Sequence, residues 1–192
     1  MCGRYYLDNE INELEIKKII NQINHKYFNT PELAAMKTGE IFPTDIAPVI
    51  TAEEPALMKW GFTSYDKKHQ IINARLETAK EKPTFRNLFT AQRCLIPASH
   101  YFEWSKHTPV KQKYAIGRNE PIYMAGLYRW EGNLSLPVFV ILTCQAADNL
   151  AFIHDRMPVI LAKDIHQAWF DKSTDLRDIQ DNNPMQLDYH TV

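Results

Sequence analysis

The chain has 192 residues, 45% of them hydrophobic and 23% charged, with a formal net charge of -1. Those figures exclude a disordered or coiled-coil chain, predict one domain with a core of its own, and leave any polyanion contact to a local basic patch. Three cysteines without a CxxC pair argue against a disulfide framework. The start MCGRYYLDNE lacks a secretory apolar stretch, and no run approaches the ~20 apolar residues of a bilayer span. A cytoplasmic protein with no membrane association is the expectation.

In chain order, residues 1–6 alternate weakly and read as a strand. Residues 9–24 read as a helix, because Ile16, Ile19, Ile20 and Ile23 recur at helical spacing, with Asp8 or Asn9 as N-cap. Short apolar or alternating runs predict strands at 56–62, 70–76, 93–97, 100–104, 113–116, 122–130 and 138–144. Helical segments are expected at 85–92, 147–154 and 162–170. Sequential strands with few crossover helices predict an α+β fold with a largely antiparallel, curled sheet. Residues 2–170 form the expected core, and the polar stretch 171–192 a peripheral tail.

Cys2 is the most informative position. Trimming of Met1 leaves an N-terminal cysteine whose α-amine, with a pKa near ~7.7–8.0, and thiol, near ~8.5, sit on adjacent carbons. An aldehyde forms an imine with the amine, and the thiol then closes a five-membered thiazolidine. An internal cysteine cannot do this, because its nitrogen is tied up in an amide. The plainer reading is a small apolar residue in an edge strand.

In HDRMP, His154 has a pKa suited to neutral proton transfer, and Pro158 holds Met157 extended. A structural loop, with Asp155 capping a turn and Arg156 paired to an acid, fits equally. In YFEW, alternation puts Tyr101 and Glu103 on one face and Phe102 and Trp104 on the other. Glu103 is then either a desolvated acid/base group or an exposed carboxylate on a half-buried strand. In IINARLET, Asn73, Arg75 and Glu77 line one strand face, and a solvated face explains that as well. Gly61 beside Trp60 leaves room for a flat ligand. Arg4, Lys59, Arg75, Arg86 and Arg156 are candidate phosphate contacts, each equally a surface ion pair. No GxGxxG, GxxxxGK[ST] or HExxH occurs and no zinc-ligand spacing, so neither cofactor nor metal is expected.

Together the segments MCGRY, Pro43-Thr44, KWGF (59–62), NARLET (73–78), KPTFR (82–86), RCLIPA leading into YFEW, and IHDRMPVIL (153–161) occur in the order of one family. The chain resembles the SRAP (SOS response-associated peptidase) family from Cys2 to about Phe170. The resemblance implies a single domain with a barrel-like β core flanked by helices. It also implies a monomer that senses abasic sites in single-stranded DNA, including single-strand/duplex junctions, and cross-links to them through a Cys2 thiazolidine. A nucleoid location and a damage (SOS-type) response follow from the same likeness.

By position, Glu103 matches the family's acid/base carboxylate, His154 the histidine assisting sugar ring opening, and Asn73 the residue orienting Cys2 and the lesion. Arg4, Arg75, Arg86 and Arg156 match phosphate contacts. Trp60, Pro43 and Thr44 match the surface supporting a kinked strand. A secondary AP-lyase tendency accompanies the imine. The alternatives are a thiol autopeptidase or amidase using Cys2 with His154 as base, and a non-covalent single-stranded DNA-binding module. The sequence departs from the family at Ser99-His100-Tyr101 and in TSYDKKHQ after Phe62.

Overall fold

A computed structural model describes residues 2–8, 14–106, 110–132, 134–171 and 186–192. The order is β1 (Arg4–Leu7), α1 (Leu14–Lys26), α2 (Pro31–Ala34), β2 (Gly39–Ile41), β3 (Ile46–Ile50), β4 (Pro55–Trp60), β5 (Phe62–Thr63), β6 (Gln70–Ile71), β7 (Asn73–Arg75), α3 (Leu76–Ala79), α4 (Arg86–Ala91), β8 (Arg93–Trp104), β9 (Lys113–Arg129), β10 (Val138–Gln145), β11 (Arg156–Pro158), a 3-10 turn (Lys163–Ile165), α5 (His166–Phe170) and β12 (Asp188–Thr191).

Among the described residues ten strands form one sheet, in the order β12-β9-β10-β4-β3-β8-β1-β2 with β7 and β11 on β10. Pairing of β8 with β9 closes β9-β10-β4-β3-β8 into a barrel. Closure gives each of those strands a partner on both sides over part of its length. The fold is α+β and largely antiparallel; β10 pairs in parallel with β4 and β7.

Two expected strand pairs are single long strands. Residues 93–97 and 100–104 join in β8 because the register shift between Ala98 and His100 is taken up by residues 118–121 of β9, opposite Ser99, and pairing with β9 resumes beyond it. Pro97 is tolerated because β8 meets β3 at Leu95 and β1 from His100 onward, so one of its edges is unpaired between them. Gly126 of β9 packs where a side chain would strike Ile96, the Val140 carbonyl and the Cys94 sulfur.

Helix α1 buries Ile16, Ile19 and Ile23, as the spacing predicts; the rest of the predicted helix, 9–13, lies outside the described residues. Thr30 caps α2 by accepting from the Leu33 amide at 3.3 Å. The expected helix at 147–154 is a series of turns, ended by His154 and Asp155 ahead of β11. The segment expected to be a peripheral tail contributes edge strand β12, which pairs with β9. Among the described residues no helix is long and apolar enough to cross a membrane.

Candidate active site

Cys2 lies just ahead of β1 and is fully buried. Its carbonyl accepts a hydrogen bond from Asn73 Nδ2 at 2.8 Å, so the first residue of β7 fixes the main chain that carries the sulfur. The thiol donates weakly to the Arg4 carbonyl at 3.6 Å. Burial pushes its pKa far above the ordinary range, and the Glu103 charge adds to the effect. The sulfur is therefore held as a thiol.

Glu103 stands in β8 opposite Tyr114 of β9 and is 5% exposed, which excludes the exposed-carboxylate reading. The alternation expected of YFEW holds. Tyr101 is buried on the Glu103 face, and that burial raises its phenol pKa, with the Glu103 charge adding to the effect. Phe102 and Trp104 face the other way, under the Lys113 ammonium at 3.7 and 5.7 Å from the ring centroids.

His154, 6% exposed, follows the last of the turns. Its Nδ1 accepts the Arg156 amide at 2.9 Å, which puts the proton of the neutral ring on Nε2. Burial depresses its pKa, and the Glu103 charge opposes the shift. Asn73, Cys2, Glu103 and His154, separated by up to 152 positions in sequence, thus meet through hydrogen bonding and charge coupling.

With this geometry in place, similarity decides the family. The profile described as SOS response associated peptidase (SRAP) matches residues 1–192. The chain belongs to the SRAP family. Among curated relatives, the Bacillus subtilis "Abasic site processing protein YobE" is 33% identical over 198 residues, covering 91% of this chain and 84% of its own. The Escherichia coli "Abasic site processing protein YedK" is 35% identical over 115 residues, covering 57% and 52%. The Xenopus tropicalis "Abasic site processing protein HMCES" is 29% identical over 149 residues, covering 60% and 44%. A crystal structure of a Bacteroides thetaiotaomicron protein matches all of this chain and 92% of its own with TM-score 0.76 at 23% identity.

The outer residues of this SRAP chain are placed less uniformly than the inner four. Arg4 reaches Glu40 at 3.2 Å, with its guanidinium 4.5 Å from the centroid of Phe42 and 5.0 Å from that of Trp104. Arg75 and Arg86 are exposed, and Lys59 is half-buried. Thr44, exposed in a tight turn after Pro43, has a φ of 78° and donates its amide to the Trp60 carbonyl at 2.8 Å.

Trp60 itself is fully buried. It lies against Tyr5 and Phe139, and its Nε1 donates to the Ile72 carbonyl at 3.0 Å. It offers no face to a base and instead props the residue before Asn73 and the strand after Cys2. The space expected beside Gly61 is also filled: a Cβ there would sit 3.2 Å from Gln70.

Arg156 is committed to a bidentate pair with Glu77, at 2.6 and 2.8 Å, and to the Thr143 carbonyl at 2.6 Å. It ties α3 to the β10–β11 ladder and lowers the Glu77 pKa, so a phosphate at Arg156 must displace Glu77. Arg156→Ala is expected to cost about 1–3 kcal/mol of stability, since charge-assisted hydrogen bonds to a buried carbonyl and a half-exposed carboxylate are lost. Thermal unfolding checks it; an unchanged midpoint contradicts it.

Acid is expected to destabilise the fold. Burial lowers the pKa values of His100, His154 and His166 in the folded chain. Above the ordinary histidine pKa of about 6.5 both states are neutral and nothing is lost. As pH falls through that value the unfolded chain takes protons that the folded chain resists, so stability declines until the lower folded values are passed. Melting scans from pH 8 to 5 should show the decline, with a shallower slope for His154→Gln.

Tyr101 and Tyr114 complete the Glu103 face. The alternation of YFEW marks Tyr101, whereas Tyr114 joins only through the β8–β9 register.

Proposed function

We propose that this protein processes abasic sites in single-stranded DNA by linking to them through Cys2. The observation that carries the reading is the Asn73 hydrogen bond to the Cys2 carbonyl, which orients that residue's main chain, with the Glu103 charge acting on both the Cys2 thiol and the His154 ring. SRAP membership and relatives named as abasic site processing proteins supply the substrate class.

In this account, removal of Met1 frees the Cys2 α-amine. The anomeric hydroxyl of the abasic sugar gives its proton to Glu103 as the bond from C1′ to O4′ breaks. O4′ takes a hydrogen bond from His154 Nε2 and a proton from solvent, which leaves an aldehyde. The amine adds to C1′, Glu103 passes its proton to the oxygen, and the nitrogen gives up two protons, one to the departing water and one to solvent, to leave an imine. The thiol then adds across that double bond: sulfur bonds to C1′, its proton ends on nitrogen, and the thiazolidine closes. The imine is also the branch point for strand cleavage.

A protonated, buried thiol suits the last step, where its proton is consumed. It does not suit a peptidase, which needs a thiolate ready to attack an amide. The test compares single-stranded oligonucleotides carrying a natural abasic site or a tetrahydrofuran analogue that cannot open to an aldehyde. A heat-stable adduct with the first alone is expected; adducts with both, or with neither, contradict the reading.

A further inference from the structure

Three aromatic rings meet at the rim of the Glu103 face. Tyr114 stands edge-on to Phe152, with centroids 5.9 Å apart at 89°, and to Tyr189, 6.0 Å apart at 73°. Phe152 and Tyr189 are 5.1 Å apart at 63°. They come from β9, from the turns at 148–153 and from β12. Phe152 remains 45% exposed and Tyr189 44% exposed. The chain has thus assembled three rings from distant segments and left much of their area in water.

Register shows which face the cluster occupies. Tyr114 is the cross-strand partner of Glu103, and Tyr189 is opposite Ile116, itself the partner of Tyr101. Directly opposed residues share a sheet face, so Glu103, Tyr114 and Tyr189 stand on one side of β8, β9 and β12. Two strand spacings, about 10 Å, separate β8 from β12. Phe152 precedes His154 by two residues. Lys106 donates its amide to the Ile153 carbonyl at 3.1 Å and pairs with Asp155 at 3.2 Å, and Lys111 is exposed. The rim therefore presents exposed aromatic faces beside the Glu103 face, and stacking of bases on such faces is what holds single-stranded nucleic acid.

We propose that Tyr114, Phe152 and Tyr189 form a stacking platform for a base next to the abasic nucleotide, on one flank of the lesion. The inference rests on the DNA reading above and adds a flanking-base contact outside the cross-linking residues.

The test places the fluorescent base 2-aminopurine immediately on either side of a tetrahydrofuran lesion in a single-stranded oligonucleotide, so that no cross-link chemistry enters the binding measurement. Wild-type protein should quench the probe on one flank only. Phe152→Ala and Tyr189→Ala should relieve that quench and weaken binding about 5- to 150-fold, the range for loss of one stacked base. Phe28→Ala, which removes an exposed ring beyond α1, serves as a surface control. Phe152→Leu keeps apolar packing without a ring and should bind as poorly as Phe152→Ala.

Unchanged quench and affinity in folded alanine variants overturn the platform. So does full recovery by Phe152→Leu, which makes the ring mere packing, or equal loss on both flanks. Failure of the cross-linking reading is separable: it shows as no adduct with a natural abasic site, whatever the probe reports.

Discussion

Replacing Cys2 with serine is expected to abolish the heat-stable adduct with an abasic oligonucleotide while leaving an imine that borohydride can trap. In the proposed chemistry the two nucleophiles of Cys2 do separate work, and the substitution removes only one. The α-amine still forms the carbon–nitrogen bond. A serine hydroxyl is a far weaker nucleophile than sulfur, so the imine stays open and hydrolyses on heating. The Asn73 hydrogen bond is to the Cys2 carbonyl and is unaffected by the change. Trapped yield should therefore approach that of the wild type, and affinity for intact single strands should hold. Loss of both adduct and trapped imine would shift the chemistry from the amine to the thiol and revive the peptidase reading. Survival of the heat-stable adduct would remove Cys2 from the linkage altogether.

Glu103→Gln is the second large effect. The side chain keeps its shape in a position only 5% exposed, so the fold is retained while the proposed proton carrier is lost. General acid–base catalysis contributes about 10²–10⁴-fold, and cross-linking should slow by that order, with binding to the tetrahydrofuran lesion preserved. A second readout separates chemistry from packing. The Glu103 charge helps to hold the Cys2 thiol pKa up, so its removal lets the thiol ionise at lower pH. The pH profile of Cys2 alkylation should move downward in Glu103→Gln at an unchanged melting temperature, whereas a variant that opens the core around Cys2 lowers both. Equal loss of rate and affinity would make Glu103 a binding residue instead.

The order of motifs resembling the SRAP family singled out the inner residues in the sequence, while local pattern alone left each of them open. Alternation in YFEW put Glu103 with Tyr101, whereas HDRMP left His154 open between a functional group and a structural loop, at the end of a stretch expected to be helical. What alternation lacks is the neighbouring strand. Whether Glu103 faces water or core is decided by β1 and β9 packing on either side of β8, and only the register contains that information.

The outer site was less legible for a related reason. A tryptophan or an arginine in a motif reads the same whether it meets a ligand or the protein itself. Trp60 is consumed by Tyr5, Phe139 and the Ile72 carbonyl, and Arg156 by Glu77 and Thr143. The two joined strands hid behind Pro97 and Gly117, breakers that the pairing accommodates, and β12 hid in a polar stretch whose four residues are all exposed.

The central claim is that the N-terminal amine and thiol of Cys2 together take up one aldehyde. Intact mass of the adduct with a single-stranded abasic oligonucleotide tests it most directly. The account predicts the protein mass without Met1, plus the oligonucleotide, less one water, with Cys2 then resistant to alkylation. An adduct that retains Met1, or one whose Cys2 thiol still alkylates after heating, would contradict it.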